Sequence, residues 1–288
     1  MCLKRKEGKQ TLTENHKNGV LYFTFSSLCA QTDFVHGFSS RIGGVSEGEF
    51  STMNLSFSRG DDPERVRENY KRLAAAIGFD DTKIVCSDQT HTNHVRQVTE
   101  ADCGKGYLRK RDYTDVDGLI TNVPGVVLAT FYADCVPLYF VDPVHRAVGL
   151  SHSGWRGTVS DIAAETVQAM QKHYGSEPAE ILAAIGPSIC QDCYEVSEDV
   201  IEQFRAHYAQ ELWPQLFYQK TDHSHPLGAK YQLNLWEACR QNMLRAGILP
   251  EHIEVTDVCT CCNPEILFSH RASKGRRGNL GAFLGIRE

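Results

Sequence analysis

The stretch ADCVPLYFVDPVHRAVGLSHSGWRG, residues 133–157, decides the fold because it holds two apolar segments separated by a turn. The segments LYFVD and AVGLSHS are short and bounded by turn residues, which predicts two strands. Cys135 lies at the end of another apolar run, VVLATFYADC, and His152 lies near the end of AVGLSHS. Because α/β proteins place functional groups at strand ends, the thiol and the imidazole would share a site if these strands are neighbours.

Strands and helices interleave along the rest of the chain. The apolar run Val20–Phe25 predicts a first strand. Pro63 begins an amphipathic pattern that is typical of a helix, and this pattern ends at Gly78. Three further helices are predicted within residues 158–175, 197–213 and 231–248. The chain has no Ser-, Pro- or Gly-rich linker and no evident repeat, so we predict one α/β or α+β domain over residues 19–288. The polar residues 1–18 lack periodicity and predict a disordered or frayed N-terminus.

Composition limits the classes of partner. The 288 residues carry a net charge of −6, and the basic residues form no long stripe, so we expect no nucleic-acid partner and favour a small molecule. The sequence has no run of 18 apolar residues and no secretion signal, which predicts a cytoplasmic protein without a membrane partner. The eleven cysteines are therefore expected to be mostly reduced thiols. We expect a monomer or a homodimer.

Three side chains are candidate ligands for one metal ion. The turn QTHTNH (Gln89–His94) supplies His91, and the strand ends supply Cys135 and His152. Two imidazoles and a thiolate suit zinc or copper, and three protein ligands leave the fourth zinc position open for hydrolysis or deamination. The residues alone leave an alternative open, in which Cys135 is a nucleophile and His152 its base.

Other patterns give weaker predictions. The strings CQDC (Cys190–Cys193) and CTCC (Cys259–Cys262) would suit a structural zinc site, but the long gap between them weakens that interpretation. Neither GxGxxG nor GxxxxGK[ST] occurs, so arginines would have to hold any phosphate. The glycine-rich segment 37–56 predicts a loop close to a ligand. The candidate phosphate-binding residues are Arg41, Arg156, Arg271, Arg276 and Arg277.

Several strings, taken together, resemble the YfiH-like or laccase-domain (multicopper polyphenol oxidase) family. They occur in the family's order over nearly the whole chain: HGFSSRIGGVS (36–46), MNLS (53–56), QTH (89–91), DVDGLITN (115–122), ADCVP (133–137), HSGWRG (152–157), GPSI (186–189), CYEV (193–196), DVCT (257–260), FSHR (268–271) and GRRG (275–278). The resemblance implies two packed mixed β-sheets flanked by helices, similar to the cytotoxic-necrotizing-factor fold. It also implies that His91, Cys135 and His152 bind zinc, with His94 a neighbour.

The resemblance further implies a purine nucleoside enzyme. The expected activities are phosphorolysis of adenosine, inosine and methylthioadenosine, and deamination of adenosine. We expect Asp134 to carry a proton in deamination and Arg41, with Arg271, to hold phosphate. Asn54, within the MNLS string, is a further expected substrate-binding residue. Cys135 remains a catalytic candidate because related toxins use a Cys and a His as a hydrolytic pair.

Three alternative functions stay open. Some bacterial relatives are described as editing peptidoglycan precursors, a hydrolysis that Cys135 or a metal would serve. Copper-dependent polyphenol oxidation is less favoured because HSH (His223–His225) is the only HxH string. A metal-binding scaffold without activity is the third.

Overall fold

The computed structural model describes residues 3–6, 8, 10–220 and 228–288. The strands are β1 (Leu12–Lys17), β2 (Val20–Phe25), β3 (Phe34–Ser39), β4 (Ile84–Cys86), β5 (Val95–Gln97), β6 (Gly118–Thr121), β7 (Val127–Tyr132), β8 (Val136–Asp142), β9 (Ala147–Ser153), β10 (Leu182–Ile185), β11 (Glu195–Ser197), β12 (Phe217–Gln219), β13 (Lys230–Leu233), β14 (Ile253–Val255) and β15 (Leu280–Ile286). The α-helices are α1 (Ser26–Cys29), α2 (Pro63–Ile77), α3 (Trp155–Val159), α4 (Ile162–Tyr174), α5 (Glu198–His207), α6 (Trp213–Leu216), α7 (Leu235–Arg245) and α8 (His270–Ser273).

Two six-stranded mixed sheets form the centre of the molecule. The first has the order β1-β2-β3-β15-β7-β4, and the second has the order β14-β10-β8-β9-β6-β5. Each sheet combines antiparallel pairs with parallel ones, β4 with β7 in the first and β5 with β6 and β10 with β14 in the second. A small third sheet has the order β11-β13-β12. The predicted α/β architecture of two mixed sheets with helices is confirmed.

The main apolar core lies between the two large sheets. Phe38 and Leu284 of the first sheet and Tyr139 and Leu150 of the second belong to one buried cluster. The other face of the second sheet packs against α4 and α7, while α2 covers the first sheet. Burial of apolar surface stabilises such layers by roughly 25 cal/mol per Å². Within the described part of the chain, no helix combines the length and the apolar character needed to cross a membrane.

Local sequence signals gave several elements directly. The predicted strand Val20–Phe25 is β2, and the predicted helix from Pro63 is α2. Asp62 caps α2 by accepting a hydrogen bond from the Glu64 backbone amide, and Gly78 ends it with a φ of 100°. A left-handed residue costs least when it is glycine, so the chain turns away at that position.

The ordered chain begins earlier than residue 19, contrary to the expectation of a disordered or frayed segment 1–18. Strand β1 pairs with the whole length of β2, and Arg5 makes ion pairs with Asp257 and Glu14. Strand β1 is the edge of its sheet and most of its side chains are exposed. An exposed edge strand needs no apolar periodicity, which explains why composition did not identify it.

Three other strands differ from the sequence prediction. Strand β3 begins before the expected loop 37–56, β13 occupies the start of the helix expected over 231–248, and β15 was not predicted. Strands β3 and β15 are buried along their whole length, and β15 lies between β3 and β7. A strand buried on both faces lacks the alternation that marks a half-buried strand. The HSH string, His223–His225, lies outside the described residues.

Candidate metal centre

A tight turn after β4 presents the first candidate ligand. His91 adopts a left-handed backbone conformation, with a φ of 69°. The buried carboxylate of Asp117 accepts hydrogen bonds from the backbone amides of Thr90 at 2.9 Å, His91 at 3.2 Å and Thr92 at 3.1 Å. Such a strained conformation costs on the order of 1–3 kcal/mol and persists only where its surroundings fix it. Asp117 therefore fixes the turn that positions the His91 imidazole.

The β8–β9 hairpin supplies the other two ligands. In its antiparallel register Pro137 pairs with His152, so Cys135, which precedes β8, lies beside the end of β9. His152 Nδ1 lies 2.6 Å from a carboxylate oxygen of Asp117. That hydrogen bond leaves Nε2 as the nitrogen available to a metal, and metal-binding histidines commonly use such a carboxylate partner. Asp117 thus holds both candidate histidine ligands.

The three ligand atoms converge on one point. The nitrogen atoms of His91 and His152 and the sulfur of Cys135 all lie within 4.8 Å of one another. Cys135 Sγ is 3.9 Å from His91 Nε2. Gly154 permits this approach, because a Cβ atom there would lie 2.8 Å from His91 Cδ2 and 3.3 Å from Cys135 Sγ. The structure brings together the three residues that the resemblance implied.

Cys135, His152 and Asp117 shift one another's pKa values. Burial raises the pKa of the Cys135 thiol, but the adjacent His152 and His91 outweigh it and lower the pKa to about 6. Burial also opposes protonation of His152, yet Cys135 and Asp117 raise its pKa to about 9. Burial likewise raises the pKa of Asp117, and the His152 hydrogen bond reverses this and lowers it. These shifts favour the thiolate of Cys135, the form that binds metals and attacks electrophiles, and a bound metal would displace the proton that they favour on His152.

The donor set fits a catalytic rather than a structural zinc site. Two imidazoles and one thiolate are typical zinc donors, and a fourth position is left for a water or a substrate. His91, Cys135 and His152 also line a cavity of about 400 Å³, so that position faces an accessible space. The volume lies within the roughly 300–1,000 Å³ typical of small-molecule sites.

Three arginines line the same cavity. They are Arg59, Arg111 and Arg277. Arg111 donates to the Ser87 carbonyl at 2.9 Å and to Asp88 at 2.6 Å, whereas Arg59 is exposed. Arg277 is only 9% exposed, and its Nε atom is buried without a hydrogen-bond partner. Burial and the neighbouring Arg59 lower the pKa of Arg277 to about 10, so it is still charged at neutral pH. A buried guanidinium with an unused donor is suited to binding an anion.

The other expected site residues lie outside the cavity lining. Arg41 donates to the carbonyls of Ser51 at 2.7 Å and Pro264 at 2.8 Å, and its guanidinium lies over the Phe268 ring. Arg271 donates to the carbonyls of Cys193 and Glu195. Both guanidinium groups therefore bind the backbone of this chain.

Asp134 and Asn54 also bind neighbouring segments. Asp134 accepts hydrogen bonds from Thr260 Oγ1 at 2.6 Å and from the Arg271 backbone amide at 2.7 Å. Asn54 is fully buried and its Oδ1 accepts from the backbone amides of Ser56 and Asn279, which both line the cavity. These contacts support the walls of the site.

Sequence reasoning missed Asp117, Arg59 and Arg111. Asp117 lies within the DVDGLITN string, so the resemblance marked its neighbourhood without giving it a role. Arg59 follows MNLS by three residues, and Arg111 lies in a polar insertion that was expected to be a surface loop. Nothing local in the sequence distinguishes these side chains from ordinary exposed ones.

The comparisons with known proteins agree over most of the chain. The family described as multi-copper polyphenol oxidoreductase laccase matches residues 35–287. The chain is 38% identical over 258 residues to purine nucleoside phosphorylase YlmD of Geobacillus stearothermophilus, covering 88% of this chain and 90% of the relative. It is 35% identical over 248 residues to purine nucleoside phosphorylase YfiH of Escherichia coli, covering 86% of this chain and 92% of the relative.

A solved structure extends the agreement to the fold. The crystal structure of YlmD from Geobacillus stearothermophilus superimposes with a TM-score of 0.87 at 36% sequence identity, covering 97% of this chain and all of that one. A match over residues 35–287 and relatives above 30% identity cover far more than half of the chain. The chain therefore belongs to the multi-copper polyphenol oxidoreductase laccase family, which is the YfiH-like family that its motifs indicate.

Proposed function

We propose that this chain is a zinc-dependent purine nucleoside phosphorylase. The observation that carries the proposal is a three-donor metal centre on the same cavity as a buried arginine with an unused donor. Relatives 35–38% identical over most of the chain are named purine nucleoside phosphorylases. Phosphorolysis needs an anion-binding group and a nucleoside pocket side by side, which this cavity offers.

Arg277 is the central phosphate-binding residue in this proposal. Its Nη1 donates to the carbonyl of Gly278 at 3.3 Å and to the Asn279 side chain, its Nη2 lies 3.5 Å from His270 Nδ1, and its Nε is buried, so a phosphate would approach the guanidinium from the cavity that Arg277 lines. Arg59 adds a second positive charge, and its repulsion contributes to the lowered pKa of Arg277. A phosphate between the two guanidinium groups relieves that repulsion. Arginine suits this role because its planar fork binds phosphate oxygens in pairs.

Two half-buried aromatic rings line the cavity as well. Phe57 and Phe131 offer apolar faces on which a purine base would stack. Phe131 is fixed through its backbone, because Gln89 donates to its carbonyl and accepts from its amide, both at 2.7 Å. The base and the phosphate would then approach the ribose from different walls.

In phosphorolysis, a phosphate oxygen forms a bond to the ribose C1′ as the bond from C1′ to the purine nitrogen breaks. The departing purine takes the electron pair, and overall it also takes the proton that the attacking hydrogen phosphate loses, while positive charge develops on the ribose in the transition state. Arg277 and Arg59 orient the phosphate, and the rings of Phe57 and Phe131 hold the base. Zinc bound by His91, Cys135 and His152 would supply Lewis-acid polarisation and an activated water.

The test is phosphate-dependent release of purine from adenosine, inosine and methylthioadenosine by purified protein. Losing hydrogen bonds to a charged group costs about 1.5–3 kcal/mol, so Arg277→Gln should raise the KM for phosphate roughly 10- to 100-fold. The adjacent and exposed Arg276 provides the matched control, since Arg276→Gln should change this KM less than about twofold. An unchanged phosphate KM in Arg277→Gln, or release that needs no phosphate, contradicts the proposal.

Adenosine deamination is a second candidate activity, favoured by the three-donor centre opening on the cavity. Hydrolysis of this kind needs an activated water and no phosphate. We assign Asp134 a positioning role instead of proton transfer, because Thr260 and Arg271 already occupy its two oxygens. Ammonia released from adenosine without phosphate supports this activity, and its absence from metal-loaded protein excludes it.

Cys135 as a nucleophile is the competing mechanism at the same residues. Its lowered pKa and the proximity of His152 suit either role. Metal content separates them, because a zinc ligand and a free nucleophile predict different results for Cys135→Ala. Loss of one zinc per chain supports the metal centre, and unchanged metal content supports the nucleophile.

A further inference from the structure

A second group of metal-binding side chains lies away from the cavity. The two CxxC strings, although 69 residues apart in sequence, meet in the fold. Their sulfur atoms all lie within 4.8 Å of one another. The four residues are Cys190, Cys193, Cys259 and Cys262, which we call the four-cysteine cluster.

The spacing of the sulfurs matches tetrahedral zinc. With Zn–S bonds of about 2.3 Å, the sulfurs of a tetrahedral site are roughly 3.8 Å apart. Cys193 and Cys262 are separated by 3.5 Å, and no pair in the four-cysteine cluster exceeds 4.8 Å. Cys190 and Cys259 are buried, whereas the other two are half-buried. All four are free thiols, so the fold brings four potential ligands to one point.

Backbone hydrogen bonds hold this geometry. Ser188 and Cys259 form a parallel bridge, and the Thr260 amide donates to the Ser188 carbonyl at 3.1 Å. The Cys193 amide donates to the Cys190 carbonyl at 3.1 Å, which folds the first CxxC string into a tight turn. The Cys190 amide points at Cys259 Sγ, 3.2 Å away. An amide directed at sulfur stabilises the thiolate that a metal requires.

Two cationic side chains lie beside the four-cysteine cluster. Lys6 pairs with Asp192, inside the first CxxC string, at 2.8 Å. The Arg271 guanidinium donates to the Cys193 carbonyl at 3.2 Å. Four thiolates and one Zn²⁺ carry a net charge of −2, which Arg271 partly offsets, whereas the charge of Lys6 is already balanced by Asp192.

We propose that the four-cysteine cluster is a structural zinc site, separate from the centre formed by His91, Cys135 and His152. Four thiolates at C-x₂-C spacing complete the coordination of zinc, so this site would have no position open for a substrate. Disulfides would join the sulfurs in pairs, whereas one zinc ion would hold all four sulfurs around a single point.

The zinc would also fix the loop that carries a ligand of the first centre. The Ile189 amide, next to Cys190, donates to the Asp134 carbonyl at 3.0 Å. Thr260, next to Cys259, donates to the Asp134 carboxylate at 2.6 Å. Asp134 precedes Cys135 and has a φ of 92°, a left-handed conformation that needs support from its surroundings. The two segments that donate these hydrogen bonds to Asp134 are joined through the four-cysteine cluster.

Metal analysis of protein purified without chelator tests the proposal. We expect two zinc ions per chain in the wild type and one in a Cys193→Ser/Cys262→Ser variant. Cys103→Ser is the matched control, because Cys103 is also half-buried but belongs to neither group of ligands. It should keep both zinc ions. Loss of one zinc in the variant, with the other retained, is independent of which reaction the cavity performs.

A second measurement covers the case in which the double variant fails to fold. Cobalt added to metal-free Cys135→Ala should give the absorption of a tetrahedral tetrathiolate centre, because among the described residues the four-cysteine cluster is the group that offers four thiolates. Three results overturn the proposal: unchanged zinc in the Cys193→Ser/Cys262→Ser variant, iron in place of zinc, or a wild-type mass lower by two or four hydrogens without metal. The last result identifies a disulfide.

Discussion

Replacing Asp117 by Asn isolates what one buried carboxylate contributes to the metal centre, because the change removes charge and keeps the side-chain size. The Asp117 carboxylate lies 2.6 Å from His152 Nδ1 and accepts from the backbone amides of Thr90, His91 and Thr92. An Asn side chain has one acceptor oxygen where Asp has two, and its NH₂ group, which can only donate, would face some of these N–H donors. At least one of these hydrogen bonds is therefore lost, and so is the charge that raises the pKa of His152.

The expected loss of zinc affinity follows from these contacts. One hydrogen bond to a charged group contributes about 1.5–3 kcal/mol. Independently, removing the hydrogen-bond partner of a metal ligand lowers affinity by roughly 10- to 100-fold, which corresponds to about 1.4–2.8 kcal/mol. The two ranges agree, so Asp117→Asn should raise the Kd for zinc roughly 10- to 100-fold.

Competition with a chromophoric chelator at pH 7 measures this Kd. Asp115→Asn is the matched control, since Asp115 is a half-buried carboxylate two residues away that pairs with His94 and accepts from the Thr90 hydroxyl instead of contacting a candidate ligand. It should bind zinc within about twofold of the wild type. A folded Asp117→Asn protein that binds zinc as tightly as Asp115→Asn would refute the role given to this carboxylate.

Three further predictions concern the same fold. Gly154→Ala places a Cβ atom 2.8 Å from His91 Cδ2 and should weaken zinc binding roughly tenfold in the same titration. Gly157→Ala is the control: its added Cβ atom would have no contact below 3.4 Å, so this change should not weaken zinc binding. In zinc-free protein, the rate at which iodoacetamide alkylates Cys135 should rise with pH and reach half its maximum near pH 6, because the pKa of this thiol is lowered. A midpoint near pH 9 contradicts this prediction. Burial lowers the pKa of His36 to about 4, so the unfolded state binds its proton first as pH falls. The part of the free energy of unfolding that depends on neutral His36 should therefore be fully present above about pH 6.5 and should decrease by roughly 3 kcal/mol as the pH falls towards 4. Denaturant titrations of wild type and His36→Gln should differ in that window, and parallel curves would disprove the effect.

Local signals predicted much of the secondary structure but few of the long-range contacts. The helix α2 follows from its Asp62 cap, its apolar face and its terminal Gly78, all close together in sequence. Strand β1 was missed because an exposed edge strand needs no apolar periodicity, and β15 was missed because full burial removes the alternation.

The candidate site shows the same division. His91, Cys135 and His152 were chosen as candidate ligands through resemblance, since cysteine and histidine spacing alone favoured a buried structural cysteine and left a metal ligand and a nucleophile as alternatives. Arg41 was expected to hold phosphate, and the structure instead places its guanidinium on backbone carbonyls. Arg277 was one of five candidate arginines in the sequence, and only its burial on the cavity distinguishes it.

The sequence by itself determined the alternation of strands and helices and the motifs that mark the family. Only the tertiary structure placed Asp117 beneath both histidine ligands, directed Arg277 into the cavity and joined two CxxC strings that lie 69 residues apart. The physical reason is that periodicity and capping act over a few residues. Convergence of ligands depends on strand order and register, which the packing of the two sheets sets across the whole chain.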